Sequence, residues 1–242
     1  CVLVPLRDTP LLPFSLSQRI IFAPVDHNTQ LAGEDISLLG EKALFWPAQR
    51  MLIVGDLHIG KANHFRKAGI AVPKAVNLTN LRALTRLVMR THPERVLFLG
   101  DLFHSDPNRE WQAFVQWMQQ FPDIQFELVI GNHDILPATF YEDAGVHCYP
   151  EGLSIGPFWL THEPMADASK GYNLAGHIHP GVRLSGRGRQ SLRLPCFWFG
   201  EAQGLLPAFG AFTGLYRIEP KNGDRLFVVA NQKVIPIGNA KA

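Results

Sequence analysis

The sequence predicts a single α/β domain built on two β-sheets. Three observations support this prediction. Short, wholly apolar runs such as Met51–Val54 are typical of strands that are buried on both faces. In the first half of the chain these runs alternate with longer segments of helical periodicity, which is the pattern of βαβ units. From about Phe158 onward, strand-like runs are separated by glycine- and proline-rich turns, which indicates a second sheet.

The start of the chain has a different composition from the rest. Its first residues are rich in proline and polar side chains and show no sustained period, so we expect residues 1–34 to form a partly ordered N-terminal extension. Residues 35–242 would then form the domain. The domain begins with a predicted β-hairpin, in which a Gly40-Glu41 turn joins Ile36–Leu39 to Ala43–Trp46.

Three buried strands and two helices follow in alternation. The strands are predicted at Met51–Val54, Val96–Leu99 and Phe126–Ile130. One helix is expected from Pro73 to about His92. A second helix opens at Asp106-Pro107, because proline is favoured at the first helical position. Its apolar residues recur at helical spacing and predict one buried face: Trp111, Phe114, Val115, Met118 and Phe121.

A short helix from Pro137 to about Ala144 completes the first half of the predicted domain. The second half contains six predicted strands, at Phe158–Leu160, Tyr172–Ala175, Val182–Leu184, Ser191–Phe199, Phe209–Ile218 and Arg225–Val229. Glycine and proline residues mark the turns between them.

Composition excludes several classes of protein. A hydrophobic content of 46% is too high for a disordered chain, and a net charge of +2 is too small to select nucleic acid by overall attraction. Three cysteines (Cys1, Cys148 and Cys196) cannot all pair with one another, so no disulfide framework is expected. No run approaches 18 apolar residues and no secretory signal is visible, so we expect a cytoplasmic protein without membrane association.

Five polar signatures, each directly after an apolar run, are the most informative feature of the chain. They are Gly55-Asp56-Leu57-His58, Gly100-Asp101-Leu102-Phe103-His104, Gly131-Asn132-His133-Asp134, Thr161-His162-Glu163 and Gly176-His177-Ile178-His179. Their polar side chains would lie at the C-terminal ends of strands, the edge at which open α/β sheets bind ligands. The signatures supply two Asp, one Asn and four His as candidate metal ligands.

This mixture of oxygen and imidazole donors suits a site for two divalent ions. Asp56 and His58 are two residues apart, a spacing that can place both on one side of a strand end, and His177 and His179 repeat it. Such ligands accept manganese, iron, zinc or nickel.

In this order, the signatures resemble those of the calcineurin-like metallophosphoesterase superfamily over residues 56 to 179. The resemblance implies a four-layer α/β/β/α sandwich with a dinuclear site at the C-terminal ends of the strands. It implies that one ion is held by Asp56, His58, Asp101 and His179. It also implies that the other is held by Asp101, Asn132, His162 and His177, so that Asp101 bridges the two.

The residue types agree with those roles. A bridging ligand needs a negative charge and two oxygens, which Asp101 supplies, whereas Asn132 adds an oxygen without further negative charge. The site therefore keeps positive character for a phosphate. His133 is not needed as a ligand and is the natural general acid for the leaving oxygen. Asp134 is expected to orient His133 and to favour its charged form.

Several segments are similar to one subfamily, the bacterial ligase-associated DNA damage response endonucleases (PdeM family). The segments are Asp56–Lys61 with Phe65-Arg66, Gly100–Ser105, Leu194–Trp198 and Leu206–Gly214. The similarity spans about residues 36–218. It implies a metal-dependent phosphodiesterase, often activated by manganese, in which a metal-bound hydroxide attacks DNA. It also implies a role in DNA repair with a ligase, a helicase and an exonuclease as partners.

Candidate substrate-binding residues lie around these motifs. Lys61 and Arg66 could hold phosphates that flank the scissile one, or could lie on a solvated helix or loop. Arg183 belongs to a second basic run and could contact phosphate or belong to a surface hairpin. His104, three residues beyond Asp101, could contact substrate or support a metal ligand.

Two other functions remain open on the sequence. The same scaffold could serve a small-molecule phosphoesterase or nucleotide pyrophosphatase, although no long insertion after the second signature suggests a lid. A catalytically silent binding scaffold is the other alternative, and an intact His133-Asp134 pair argues against it. The residues neither demand nor exclude a homodimer.

Overall fold

The computed structural model describes residues 24–61, 76–104, 107–165, 168–186, 190–211 and 213–237. Within these residues two sheets pack face to face, and α-helices cover the outer face of the first sheet. This arrangement is the two-sheet α/β domain that the sequence predicts.

The first sheet has seven strands in the order in which they occur in the chain. They are β1 (His27–Leu31), β2 (Glu34–Leu39), β3 (Ala43–Trp46), β4 (Met51–Gly55), β5 (Arg95–Leu99), β6 (Gln125–Val129) and β7 (Val146–Tyr149). Strands β1 to β4 are antiparallel, and β4 to β7 are parallel. Gly55 pairs with Leu99 and Leu99 with Val129, so the ends of β4, β5 and β6 stand side by side.

Three α-helices are described: α1 (Val76–Thr91), α2 (Arg109–Met118) and α3 (Ala138–Glu142). Helix α2 starts at Arg109 and not at the predicted Asp106-Pro107, because the side chain of Asn108 caps it. The Asn108 carboxamide oxygen accepts hydrogen bonds from the amides of Glu110 and Trp111, at 2.8 and 3.2 Å. The predicted start of α1 at Pro73 lies outside the described residues.

The second sheet has nine strands and mixed directions. They are β8 (Leu153–Ile155), β9 (Phe158–Thr161), β10 (Tyr172–Ala175), β11 (Pro180–Ser185), β12 (Ser191–Phe199), β13 (Gln203–Leu205), β14 (Tyr216–Arg217), β15 (Arg225–Ala230) and β16 (Lys233–Ile237). Strand β10 runs parallel to β9 and β13, whereas β12 is antiparallel to β11, β13 and β15.

Alternation along the central strands separates two hydrophobic cores. In β4 the side chains of Leu52 and Val54 pack against the helices, while Ile53 between them packs against the second sheet. Both faces of β4 are therefore apolar, which explains its unbroken hydrophobic run.

The described residues show three of the four predicted layers, namely the helices and the two sheets. On the outer face of the second sheet, a 3-10 helix (Ala168–Lys170) places the Lys170 ammonium 4.2 Å from the Trp159 ring centre.

The structure corrects several element boundaries. His27–Leu31, predicted as part of the extension, is strand β1 and pairs with β2, so the first sheet extends to residues before position 35. Most of the strand predicted at Phe209–Ile218 is irregular, and only Tyr216–Arg217 forms β14. Besides β1, four strands were not predicted, namely β7, β8, β13 and β16. The hairpin of β2 and β3 is confirmed.

Two further observations concern the described residues. Cys148 and Cys196 are both buried and unpaired. No described helix has the length and apolar character needed to cross a membrane.

Candidate metal centre

The loops that leave the two sheets at one edge bring all seven predicted ligands together. Three of these loops follow β4, β5 and β6, whose ends are in register, and two follow β9 and β10. The ligand residues on them are Asp56, His58, Asp101, Asn132, His162, His177 and His179.

The first group of donor atoms contains Asp56, His58 and His179, whose ligand atoms lie within 4.8 Å of one another. His179 Nε2 is 3.4 Å from Asp56 Oδ1 and 3.3 Å from His58 Nε2. Asp101 Oδ2 lies 3.8 Å from His58 Nε2 and completes the group. These are the four residues that the sequence analysis assigned to one ion.

The second group contains Asp101, Asn132, His162 and His177. His162 Nε2 is 3.4 Å from Asp101 Oδ1 and 2.9 Å from Asn132 Oδ1. His177 Nδ1 is 3.1 Å from both Asn132 Oδ1 and His162 Nε2. The two oxygens of Asp101 therefore face different groups, which is the geometry of a bridging carboxylate. Asp56 also lies within reach of both groups.

The chemistry of these donors fits divalent cations. Asp56 and Asp101 are almost fully buried, and buried carboxylates need a positive partner. Burial, and then the nearby positive charges of Lys61 and the neighbouring histidines, lower the pKa of His58 to about 2, so its imidazole is neutral and keeps a lone pair for a metal. His162 Nδ1 lies 3.1 Å from the carbonyl of Leu99, which leaves His162 Nε2 free to act as a ligand.

The backbone turns sharply at most of the ligands. Five have positive φ angles between 50° and 61°, a region that non-glycine residues seldom adopt: Asp56, His58, Asp101, His177 and His179. Each such residue costs on the order of 1–3 kcal/mol and persists only where its surroundings hold it in place. This concentration of strain marks the loops as a functional site.

Glycines allow the loops to approach the ligands closely. Gly100 has a φ of 72°, and a Cβ atom there would lie 2.0 Å from His162 Nδ1. At Gly176 a Cβ atom would lie 2.6 Å from Asp56 Oδ2. A side chain at either position would displace a ligand, so both positions require glycine.

Backbone hydrogen bonds join the first two ligand loops into one unit. The amide of His58 donates to the carbonyl of Asp101 at 2.8 Å, and the amide of Ile59 donates to the carbonyl of Leu102 at 2.9 Å. The amide of His104 then donates back to the carbonyl of Ile59 at 2.8 Å. The spacing between the Asp-x-His and Gly-Asp-x-x-His signatures is therefore set by the main chain.

The second sheet is attached to this unit at Asp56. The amide of His177 donates to both carboxylate oxygens of Asp56, at 3.1 and 3.0 Å. The amide of Gly210 donates to the carbonyl of Asp56 at 3.1 Å, and the Lys42 ammonium donates to the carbonyl of Ala208 at 2.6 Å. Lys42 was missed by sequence reasoning, because its partner is 166 residues away and no local pattern marks it.

Asp134 does not orient His133, so that prediction is wrong. Asp134 is buried, and its oxygens accept hydrogen bonds from the amides of Phe103 at 3.0 Å and Gly131 at 2.9 Å. The Tyr141 hydroxyl lies 3.5 Å from the same carboxylate. Burial raises the pKa of Asp134 to about 6, although the two amides oppose that shift. Asp134 thus ties the loop after β5 to the loop after β6.

His133 is positioned instead by its backbone and by a neighbouring ring. Its amide donates to Asp101 Oδ1 at 2.9 Å. Its half-buried ring stacks on the ring of His104, with centroids 4.1 Å apart and planes at 28°. His104 therefore packs against a residue of the site, and its two predicted roles, contact with substrate and support of a metal ligand, stay predictions.

The remaining predicted substrate-binding residues lie in different places. Lys61 is partly buried near the ligands. Burial lowers the pKa of its ammonium, whereas the charges of Asp101 and Asp56 act to raise it. Arg183 is exposed on β11, four residues beyond His179 and outside the ligand cluster. Arg66 lies outside the described residues.

Comparison with known proteins identifies the family. Residues 49–208 match the family model described as calcineurin-like phosphoesterase. That match spans more than half of the chain, so the chain belongs to the calcineurin-like phosphoesterase family. It is a metal-dependent phosphoester hydrolase whose fold implies divalent metal ions.

A solved structure of a nuclease resembles the whole fold. The Pseudomonas putida nuclease MPE is 32% identical in sequence and superposes with a TM-score of 0.75. The match covers 88% of this chain and 100% of the nuclease.

Two other solved structures share less with the chain. A protein of unknown function from Aquifex aeolicus is 16% identical, with a TM-score of 0.41 over 57% of this chain and 82% of that one. A predicted phosphoesterase from Streptococcus pneumoniae is 15% identical, with a TM-score of 0.32 over 74% and 82%. No curated protein matches the chain.

Proposed function

We propose that this protein is a phosphodiesterase that cleaves DNA at the metal centre described above. The observation that carries the proposal is the placement of the two Asp101 oxygens toward two separate donor groups. The similarity to the Pseudomonas putida nuclease over 88% of the chain supports a nucleic-acid substrate.

The metal ions would supply Lewis acidity, clamping the attacking and leaving oxygens of an in-line displacement and lowering the pKa of water. The residues of the chain do the rest. Asp101 holds the two donor groups together, and Asn132 contributes a neutral oxygen to the second group. Because Asn132 is exposed and His177 and His179 are only partly buried, a large substrate can reach the centre.

His133 is the proposed general acid. Its ring lies at the same edge as the ligands, with its centroid 6.1 Å from that of the His58 ring. It has no position in either donor group, and its main chain is fixed by Asp101. A half-buried imidazole next to the reacting phosphate can donate a proton to the departing oxygen.

The finer assignments are part of the proposal. Manganese is the proposed native ion, with iron, zinc and nickel as alternatives, because imidazole and carboxylate ligands accept all four. A role in DNA repair beside a ligase, a helicase and an exonuclease follows from the subfamily resemblance. Cytoplasmic location and a homodimer stay predictions from the sequence.

His133→Ala tests the proposal. We expect the variant to bind metal normally and to lose about 10²–10⁴-fold in turnover of a DNA strand, whose leaving group is a poor one. Bis(p-nitrophenyl) phosphate, which has a good leaving group, should be affected much less. Metal content by mass spectrometry and steady-state rates on both substrates measure these effects.

Glu163→Gln is the matched control, because Glu163 is an exposed residue next to the ligand His162 and has no place in the proposed chemistry. Loss of bound metal in His133→Ala would show that His133 has been assigned the wrong role. Cleavage of nucleoside diphosphate compounds by the wild type, without cleavage of DNA, would favour the small-molecule phosphoesterase. The wild type hydrolysing none of these substrates would favour the silent scaffold.

A further inference from the structure

A basic surface lies on the strands that extend from the metal centre, and the sites described so far do not include it. Arg183 on β11 is the cross-strand partner of Arg193 on β12. Gly181, two residues before Arg183, pairs with Arg217 on β14. Directly opposed residues, and residues two apart, share one face of a sheet. The three arginines therefore share a face, which we call the arginine face.

The arginine face borders a cavity of about 110 Å³. Gly181, Val182 and Leu215 line it together with the three arginines. Gly181 carries no side chain, and Leu215 packs over it, since a Cβ atom at position 181 would lie 2.9 Å from Leu215 Cβ. The result is a shallow depression with an apolar floor and positively charged walls.

Little of the charge on this face is balanced by acidic side chains of the described residues. Like charges that are directly opposed on a sheet destabilise it, and Arg183 and Arg193 form such a pair. Within the described part of the chain neither of them forms an ion pair, and Arg217 lies 3.6 Å from the exposed Glu219. An anion bound in the depression would relieve this repulsion.

The arginine face is joined directly to the metal centre. The ligand His179 immediately precedes β11, and its carbonyl accepts a hydrogen bond of 3.0 Å from the amide of Tyr216, the residue before Arg217. Arg183 lies four residue steps beyond His179, which corresponds to about 13 Å of extended strand. A DNA strand with its scissile phosphate at the metal centre can span that distance within a few nucleotides.

We propose that the arginine face binds backbone phosphates of a DNA strand whose scissile phosphate occupies the metal centre. This inference rests on the proposed function and names how the polymer is held. Guanidinium groups form paired hydrogen bonds with phosphate oxygens, and such contacts position a strand without reading its sequence. An exposed face with little acidic character suits a long polyanion that passes across it.

The double variant Arg183→Gln/Arg193→Gln tests the proposal. The affinity of the variant and of the wild type for a labelled single-stranded oligonucleotide is measured in EDTA, where no cleavage occurs. We expect affinity at low salt to fall by about 10-fold or more. The slope of log K against log salt should become shallower by about 1.4, at about 0.7 for each lost phosphate contact on a single strand. Metal-loaded hydrolysis of bis(p-nitrophenyl) phosphate, which is too small to reach the arginine face, should be unchanged.

Arg50→Gln/Arg86→Gln is the matched control, because both arginines are exposed and Arg50 precedes β4, at the opposite end of that strand from Asp56. An unchanged salt slope in the test pair, or an equal change in the control pair, would overturn the proposal. Binding of polyglutamate as tightly as the oligonucleotide would also overturn it, in favour of an acidic protein. Arg183→Lys/Arg193→Lys keeps the charge and should keep the slope while losing part of the affinity.

The two proposals fail in different ways. A wild-type protein that cleaves DNA, with oligonucleotide binding and its salt slope unchanged in Arg183→Gln/Arg193→Gln, would leave the proposed function standing and remove the arginine face. A wild-type protein that binds the oligonucleotide through these arginines but hydrolyses no diester would do the reverse.

Discussion

The two sheets contribute different halves of the metal centre. The first sheet supplies both carboxylates, the Asn132 amide and the His58 imidazole, on loops whose strands are aligned in parallel and whose backbones are hydrogen-bonded to each other. The second sheet supplies three imidazoles, on His162, His177 and His179. It contacts the first half through the carboxylate of Asp56 and the carbonyl of Leu99.

The two halves differ in charge and in exposure to solvent. Asp56 and Asp101 have 0% and 2% of their surface exposed, so the negative charge sits at the bottom of the site. His177 and His179 are partly exposed and form its rim. We infer that the first half determines whether metal binds, whereas the second half determines how the ion pair faces the substrate.

Asp101→Asn tests the first half and has the largest expected effect. The substitution removes the charge that faces both donor groups while keeping the shape of the side chain. We expect loss of bound metal and a fall in phosphodiester hydrolysis of more than about 100-fold, since changes to outer partners of metal ligands alone cost 10–100-fold. Metal analysis and rates on bis(p-nitrophenyl) phosphate measure both.

His177→Ala is the comparison for the second half, because it removes one partly exposed imidazole and no charge. It should retain metal at the buried first group and lose less metal in total than Asp101→Asn. Equal metal loss in the two variants would contradict the division of roles between the sheets.

Asp134→Ala tests how the loops of the first half are held together. Removing this carboxylate leaves the amides of Phe103 and Gly131 without their buried acceptors, at a cost of about 2 kcal/mol or more. We expect the free energy of unfolding in urea to fall by that amount. Tyr141→Phe removes only a hydroxyl 3.5 Å from the carboxylate and should cost less than about 1 kcal/mol. A larger effect of Tyr141→Phe would show that the amides are not the main partners.

His104→Ala tests the stacked ring next to the proposed general acid. Without the ring, His133 loses its 4.1 Å stacking partner and has more freedom to turn away. We expect kcat on DNA to fall by about 10-fold with little change in KM, since positioning partners of site residues typically contribute 10–100-fold. His104→Phe keeps a stacking ring and should restore much of the rate. Failure of phenylalanine to restore the rate would mean that the His104 nitrogens contact substrate.

The sequence predicted the metal centre better than it predicted the outer strands. Asp56 and Asp101 each follow a short apolar run that is buried on both faces, so the ends of β4 and β5 could be read from local pattern alone. The alignment of those ends then follows from parallel pairing. The His-Asp pair was misread because Asp134 bonds to the Phe103 amide, 31 residues away, and neighbouring positions in the sequence gave no sign of it.

The second sheet shows the limit of such reasoning. Phe209 was assigned to a strand because its segment is apolar, yet it lies in an irregular loop. Its side chain packs in the core between the first sheet and the helices, and its amide donates a hydrogen bond to the carbonyl of Gly55. Strand β13 has only three residues, and the pairing partners of β13 and β16 are set by the packing of the whole sheet. Neither feature has a local period that could have revealed it.

Lys42→Met tests a contact that joins the two halves, and its expected effect is the smallest. Burial lowers the pKa of Lys42 to about 8, against an ordinary value of 10.5, while its ammonium lies on the carbonyls of Ala208 and Gly210. Between these two pH values the unfolded chain binds a proton that the folded protein does not, so the free energy of unfolding rises with pH. The free energy of unfolding of the wild type, minus that of Lys42→Met, should therefore increase from pH 8 to pH 10, by no more than about 1.4 kcal/mol per pH unit.

Urea unfolding of both proteins across that range measures this quantity, with Lys221→Met, an exposed lysine, as the control. If the free energy of unfolding of the wild type, minus that of the variant, decreased as the pH rises, the carbonyls would stabilise the charged ammonium more than burial destabilises it.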